Sequence, residues 1–414
     1  MNKLKIAIEG CCHGELNKIY KSIPKTTDLL LICGDFQALR NESDFQALNV
    51  PEKYQRLGDF HQYYNGNKKA PVLTIFIGGN HESSSYLQEL KYGGWVAPNI
   101  YYLGQFGSVW YKGLLISGWS GIFNNYTFLN SDGSTMEKLP FDSSSIRSVY
   151  HQKLINFVKM YLLGRGSDII LSHDWPIGIE KFGNKESLLK RKPFFEEDID
   201  KGELGSPLNE ILIHHLKPRY WFSGHLHVKF EANINHDEKS KQLPKKTINK
   251  NEIDLDMDDD EEAEEENVTK KLKTGQNNDT IFVALDKVGN KRKFIEIIDI
   301  EIKKHHPSLN SDKCYYDKRS IAINKIIESK FTKSNLSPQS TLRNQDSLKK
   351  FIPLIQEEMS KLEKLDDDEF MIPENFEIIA PVDFSEDLKY FPSNQTEVYC
   401  EKFNMPKLEL DSGN

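Results

Sequence analysis

The sequence predicts an α/β sandwich, and three observations carry that reading. Short apolar runs alternate with helical or loop stretches through the first 232 residues. Several of these runs are continuous rather than alternating, which suits strands covered on both faces. The polar residues of distinctive chemistry collect where the runs end.

In chain order, the predicted strands are LKIAIEG (4–10), DLLLICG (28–34), VLTIFIGG (72–79), GLLISG (113–118), DIILSH (168–173), RYWFSG (219–224) and HVKFEA (227–232). Residues 235–279 then turn Lys-, Asp- and Glu-rich, a composition that cannot offset its own ordering entropy and predicts a disordered acidic insert. Strand character resumes at TIFVALDKVGNKRKFIEIIDI (280–300), two β-rich runs around a Gly-Asn turn that read as a hairpin. The insert is therefore expected to be a long loop inside a sheet. Residues 302–414 are polar, with helices expected near 318–330 and 346–365 and an irregular, Pro-punctuated tail.

Composition narrows the classes. The net charge is −8, but Asp254 to Glu266 hold ten carboxylates and no base, so the rest of the chain stands at +2. That balance carries no strong global footprint for nucleic acid, and leaves room for a local one. Five cysteines are too few and too odd in number for a secreted disulfide framework. No apolar run approaches the roughly 18 residues of a membrane span, and MNKLKIAIEG lacks the apolar centre of a signal peptide. These features predict a soluble intracellular protein.

Five of the predicted strands end in metal-binding residue types. They are Cys11-Cys12-His13, Gly34-Asp35, Gly78-Gly79-Asn80-His81-Glu82, Ser172-His173-Asp174 and Gly224-His225-Leu226-His227. In α/β sheets, ligands bind in the loops beyond the carboxyl ends of strands. One such element has a plain explanation: His-x-His is often two faces of a strand, Gly-Asp is a common turn, and the adjacent Ser-His-Asp cannot form a hydrolase triad locally. Five, each closing a separate strand, predict a metal site of mixed nitrogen and oxygen donors.

The order Cys-x-His, Gly-Asp, Gly-Asn-His-Glu, His, Gly-His-x-His resembles the calcineurin-like metallophosphoesterases, and within them the lariat debranching enzyme family. The closer resemblance rests on EGCCHGELNKIY (9–20), LLICGDFQALRN (30–41), GGNHE (78–82), SGWSGIF (117–123), IRSVYH (146–151), SHDWP (172–176) and SGHLHVKF (223–230). It continues more loosely through FVALDKVGNKRKF (282–294) and PENFEIIAP (373–381). It implies a four-layer αββα sandwich with an added C-terminal domain. The catalytic domain would span 1–234 and 280–301, with a lariat-recognition loop at 123–151, the insert at 235–279 and the C-terminal domain at 302–414.

The resemblance also implies roles. Asp35 would bridge two metal pockets, with Asn80, His173 and His225 in one and His13 and His227 in the other. Cys11 stands where the superfamily has Asp; it is read either as a soft ligand favouring Zn or Fe(II) or as a small packing residue, with Cys12 pointing away. One or two divalent ions (Fe(II), Zn or Mn) are expected, with His81 as general acid and Glu82 structural. Tyr126, Phe128, Arg147 and Tyr150 would contact RNA through the recognition loop; the competing reading is a plain surface loop with buried aromatic anchors. Gln37 and Arg40 would reach a flanking phosphate. The implied reaction is hydrolysis of the 2′–5′ phosphodiester at the branch point of intron lariat RNA, in the nucleus and also in the cytoplasm, with no membrane partner.

Three other functions fit the sequence less well. A Ser/Thr phosphoprotein phosphatase needs Asp-x-His and Gly-Asp-x-Val-Asp-Arg-Gly, where this chain has CCH and GDFQALRN. A nuclease acting on DNA ends would retain the Asp. A non-catalytic scaffold would have decayed ligands, whereas here only Cys11 departs from the pattern.

Overall fold

The structure, a computed structural model, describes residues 3–237, 278–302, 305–331, 336–384 and 388–410. The acidic part of the predicted insert lies outside the described residues. Its ends are strands: β10 and β11 pair antiparallel across it, Asn235 opposite Asp279.

Among the described residues, thirteen strands make two sheets. They are β1 (Lys3–Glu9), β2 (Leu29–Ile32), β3 (Thr74–Phe76), β4 (Gly94–Ala97), β5 (Ile100–Tyr102), β6 (Phe106–Tyr111) and β7 (Leu114–Trp119). The remainder are β8 (Ile169–Ser172), β9 (Tyr220–Ser223), β10 (Phe230–Asn235), β11 (Asp279–Ala284), β12 (Ile295–Glu301) and β13 (Tyr315–Tyr316). One sheet runs β12-β1-β2-β3-β5-β4 and the other β10-β11-β9-β8-β7-β6-β13. Within each, the central strands are parallel and the edges antiparallel.

The four-layer arrangement follows from the side-chain period of two. Ile6, Ile8, Leu29 and Leu31 face Ile169, Leu171, Phe222 and Val283 between the sheets. Ala7, Leu30, Ile32 and Phe76 face outward beneath Leu16, Ile19, Tyr64 and Leu87. On the other side, Trp119, Ile170, Trp221 and Phe282 pack under the helices Leu154–Leu163 and Pro207–Leu216. Burial on both faces is why these strands read as unbroken apolar runs.

Two expectations need correction. The 280–300 segment is not a hairpin: β11 pairs with β9 and β10 in one sheet, and β12 pairs with β1 in the other. Each run finds a neighbour that buries it better than its sequence partner would, so the Gly-Asn stretch becomes a crossover between sheets. The strand expected at 227–232 begins only at Phe230, because His227 adopts a left-handed backbone, φ +48°. Strands β4 to β6 were not anticipated; their aromatic runs are broken by Gly and Pro.

The expected helices form at Lys318–Lys330 and Ile352–Leu362, and a further one, Asn394–Phe403, lies in the tail. Ile321, Ala322, Ile323 and Ile327 share one core with Phe157 and Met160 of the helix Leu154–Leu163. No described helix is long and apolar enough to cross a membrane.

Candidate metal centre

The predicted donors do converge. Their loops leave the carboxyl ends of β1, β2, β3, β8 and β9 and meet around Asp35. His13 Nε2 lies 3.7 Å from Asp35 Oδ2, and His173 Nε2 lies 3.3 Å from Asp35 Oδ1. His13 and His227 approach ring nitrogen to ring nitrogen at 3.2 Å. Asn80 Oδ1 is 3.2 Å from His173 Nε2, and the His225 ring sits 5.0 Å from that of His173.

Tight turns produce this convergence. His13, Asp35, Gln37, His225 and His227 all take left-handed backbone, φ between +46° and +66°. Each such non-glycine residue costs about 1–3 kcal/mol, and strain of this kind gathers at functional sites. Gly79 sits against the centre so closely that a Cβ there would collide with the Asp35 carboxylate and come within 2.7 Å of His173 Nε2.

Hydrogen bonds fix the rings. The Cys33 carbonyl, 2.7 Å from His173 Nδ1, turns Nε2 toward Asp35. The Asn49 carbonyl holds His81 Nδ1 from 3.0 Å and leaves Nε2 3.2 Å from Asn80 Nδ2, while the His81 amide donates to Asp35 Oδ1 at 2.9 Å. Glu82 staples two loops, its carboxylate accepting from the amides of Phe36 (2.8 Å), Gln37 (2.8 Å) and Gly79 (2.9 Å). With all three contacts going to backbone amides, this carboxylate holds the loops together.

Electrostatics follow from burial and from Asp35. Burial pushes Asp35 upward, but His173, His81 and His13 outweigh it and hold the carboxylate well below its ordinary range. His173 is lowered by burial yet raised further by Asp35, for a net rise. Burial drives His13 down to about 3 and His227 well below its usual value, leaving both rings neutral and able to bind a cation.

The residues fit a divalent metal. Cys11 Sγ and one donor atom each from His13, Asp35 and His227 lie within 4.8 Å of one another, all buried. Ion–donor bonds of about 2.0–2.3 Å need donors at nearly such separations. The buried Nδ1 of His227 has no hydrogen-bond partner, and Cys11 Sγ accepts from the His225 amide at 3.0 Å. Cys12, by contrast, packs with Leu16 and Ile19 on the outer face.

The residues assigned to RNA separate into two groups. Tyr126 is 73% exposed and Arg147 is exposed. Phe128 is fully buried against Phe123 and Phe157 and cannot stack on a base. The Tyr150 ring is buried beside Ile122, Val149 and Phe141, with its hydroxyl accepting from Asn49 Nδ2 at 2.7 Å. Arg40 is not available to phosphate: Asp44 takes its Nε at 3.0 Å and Nη2 at 2.8 Å, and Glu89 takes Nη1 at 3.1 Å. Buried charge has to be paired, and this guanidinium is paired on both sides. Gln37 is also buried, its amide 3.5 Å from His13 Nδ1, so it supports a donor instead of meeting solvent. Asn49, which links His81 to Tyr150, escaped the sequence reading because nothing distinguishes it from any loop asparagine.

Residues 4–229 match the family model described as calcineurin-like phosphoesterase, and the donor cluster at the strand ends is the chemistry of that class. Residues 277–408 match the model for the lariat debranching enzyme C-terminal domain. The lariat debranching enzyme of Saccharomyces cerevisiae is 41% identical over 323 residues, 74% of this chain and 80% of that protein. The Drosophila melanogaster enzyme is 40% identical over 423 residues, 99% of this chain and 76% of that protein, and the human one 46% over 313 residues, 74% and 50%. The chain belongs to the lariat debranching enzyme family. It spans about half the length of the vertebrate relatives it matches.

Proposed function

We propose that this protein hydrolyses the 2′–5′ phosphodiester at the branch point of lariat RNA. The observation that carries the reading is the buried group Cys11, His13, Asp35 and His227, in a chain whose family relatives are named for debranching. Asp35 would bridge, with His13, His227 and Cys11 on one side and Asn80, His173 and His225 on the other. A divalent ion there, Zn, Fe(II) or Mn, would supply Lewis acidity toward a phosphodiester oxygen and acidify a water toward ~7. Thiolate beside imidazole suits Zn or Fe(II).

This chain's own residues handle the proton and the strand. Water adds to phosphorus as the P–O2′ bond breaks, leaving a 5′-phosphate on the released end. The leaving 2′ oxygen would take a proton from His81 Nε2, which lies 3.2 Å from Asn80 Nδ2 while Nδ1 is anchored on the Asn49 carbonyl. Tyr126 and Arg147, exposed on the 123–151 segment, suit stacking and phosphate contact with unpaired RNA. Such a substrate implies a nuclear location and a role in intron turnover after splicing.

The test is cleavage of a synthetic branched RNA and its linear 3′–5′ isomer. Branched RNA should be cut far faster, and His81→Ala should lose about 10²–10⁴-fold in rate while metal content stays normal. Equal rates on both RNAs would mean a general nuclease, and undiminished cleavage by the variant would remove His81 from the acid role.

A further inference from the structure

His81 and the 123–151 segment meet through one asparagine. Asn49 sits at the tip of a three-residue turn, closed by the Val50 amide donating to the Leu48 carbonyl at 2.9 Å. Leu48 and Val50 are buried beside Leu39, so both flanks of the turn are pinned to the loop that carries Asp35. The half-buried asparagine between them bonds in two directions. Its carbonyl oxygen lies 3.0 Å from His81 Nδ1, and its side-chain Nδ2 donates to the Tyr150 hydroxyl at 2.7 Å.

Both bonds are directional. A carbonyl oxygen only accepts, so the partnered Nδ1 carries a proton and Nε2 is the ring nitrogen left to serve the substrate. Nε2 lies beside the metal donors, 3.2 Å from Asn80 Nδ2, and the His81 ring sits 5.8 Å from that of His13. At the other end of the link, the Tyr150 ring packs with Ile122, Val149 and Phe141. Elsewhere the segment stands off from the donor loop, and a cavity of about 50 Å³ separates Gly79, Glu82 and Gln88 from Glu137, His151 and Lys153. Tyr150 is part of that cavity's wall, and the bond from Asn49 fixes where it stands.

We propose that Asn49 is a positioning residue for the general acid: it sets the aim of His81 Nε2 and ties that aim to the recognition segment. The inference rests on the debranching reading above. As the P–O2′ bond breaks, the Nε2 proton passes to the leaving 2′ oxygen and its bonding pair stays on the ring. The Nδ1 proton remains shared with the Asn49 carbonyl throughout. Proton delivery depends on heavy-atom placement, and a misplacement of about 1 Å costs about 10²-fold. RNA held at Tyr126 or Arg147 is linked to the acid through Tyr150 and Asn49.

The experiment compares wild type, Asn49→Ala, Tyr150→Phe and the double variant on two branched RNAs, identical except that one carries sulfur at the bridging 2′ position. A thiol ionises near pH 8.5, so a thiolate of about that basicity leaves without a proton, whereas the 2′ alkoxide needs one. On the oxygen RNA, kcat of Asn49→Ala should fall about tenfold, the effect of one lost hydrogen bond, with KM within about twofold. Tyr150→Phe should fall by about as much, and the double variant no further, because both changes cut the same bond. On the sulfur RNA all the proteins should agree within about twofold, with bound metal unchanged. An unchanged kcat on the oxygen RNA, equal losses on both RNAs, or losses that multiply in the double variant would overturn the assignment. If Asn49→Ala fails to fold, Tyr150→Phe, which removes a single hydroxyl, decides on the same readings. The debranching reading fails separately, as wild type cutting linear and branched RNA alike, and the acid role of His81 as His81→Ala losing equally on both branched RNAs.

Discussion

Asp35 and Glu328 are both buried carboxylates surrounded by basic side chains, and they are built to opposite ends. Glu328, on the helix Lys318–Lys330, accepts Lys91 Nζ at 3.0 Å and Lys159 Nζ at 2.5 Å. Those lysines come from the loop before β4 and from the helix Leu154–Leu163, so the triad locks the C-terminal half onto the catalytic half. Its donors and acceptors answer one another. Around Asp35, ring nitrogens instead point at each other and the Nδ1 of His227 has no partner. A buried polar cluster that serves the fold closes on itself, whereas one that serves a ligand converges and stays incomplete.

The largest expected effect separates these roles. His173→Ala should lower the cleavage rate by on the order of 10³-fold, about 4 kcal/mol of barrier, while thermal stability holds or rises. A variant that unfolds with its activity per folded molecule intact would erase the contrast. Glu328→Ala should do the reverse, costing about 3–5 kcal/mol of stability by leaving two ammonium groups buried and unpaired. Denaturant melts, with activity normalised to folded protein, measure both.

The triad also carries a pH dependence. Burial works to raise Glu328, but Lys159 and Lys91 outweigh it and hold the carboxyl down at about 2. Lys159, lowered to about 8 by burial, remains cationic at neutral pH, so the pair is ionised there. A carboxyl depressed on folding contributes stability that is present above its ordinary range near 4.5 and lost as pH falls toward 2. Glu328→Gln should flatten that acid limb; a melting temperature that falls with acid as in wild type would assign the limb to other carboxylates.

The smallest effect sharpens the Asp35 side. Cys11→Ser keeps the size of the side chain and the acceptor for the His225 amide, so the fold should persist. Its metal preference should move from Zn and Fe(II) toward Mn, because the soft donor is gone. An identical profile across the three ions would make Cys11 a packing residue, and Cys12→Ser, on the outer face, is the control.

Much of the metal centre was legible in the sequence because each donor ends a strand, and parallel strands deliver their carboxyl ends to one place. What was illegible depended on partners far away in the chain. Arg40 looks like a phosphate ligand until Glu89 is seen beneath it, and Phe128 looks like a stacking platform until Phe157 covers it. Asn49 gave no motif, since it reaches His81 through its backbone carbonyl.

The most direct test strips the protein with chelator and restores Zn, Fe(II) or Mn stepwise while branched RNA and its linear isomer are assayed together. Cleavage should return in proportion to bound ion, confined to the 2′–5′ bond and yielding a 5′-phosphate end. Full activity in the stripped protein, or parallel recovery on both RNAs, would contradict the account.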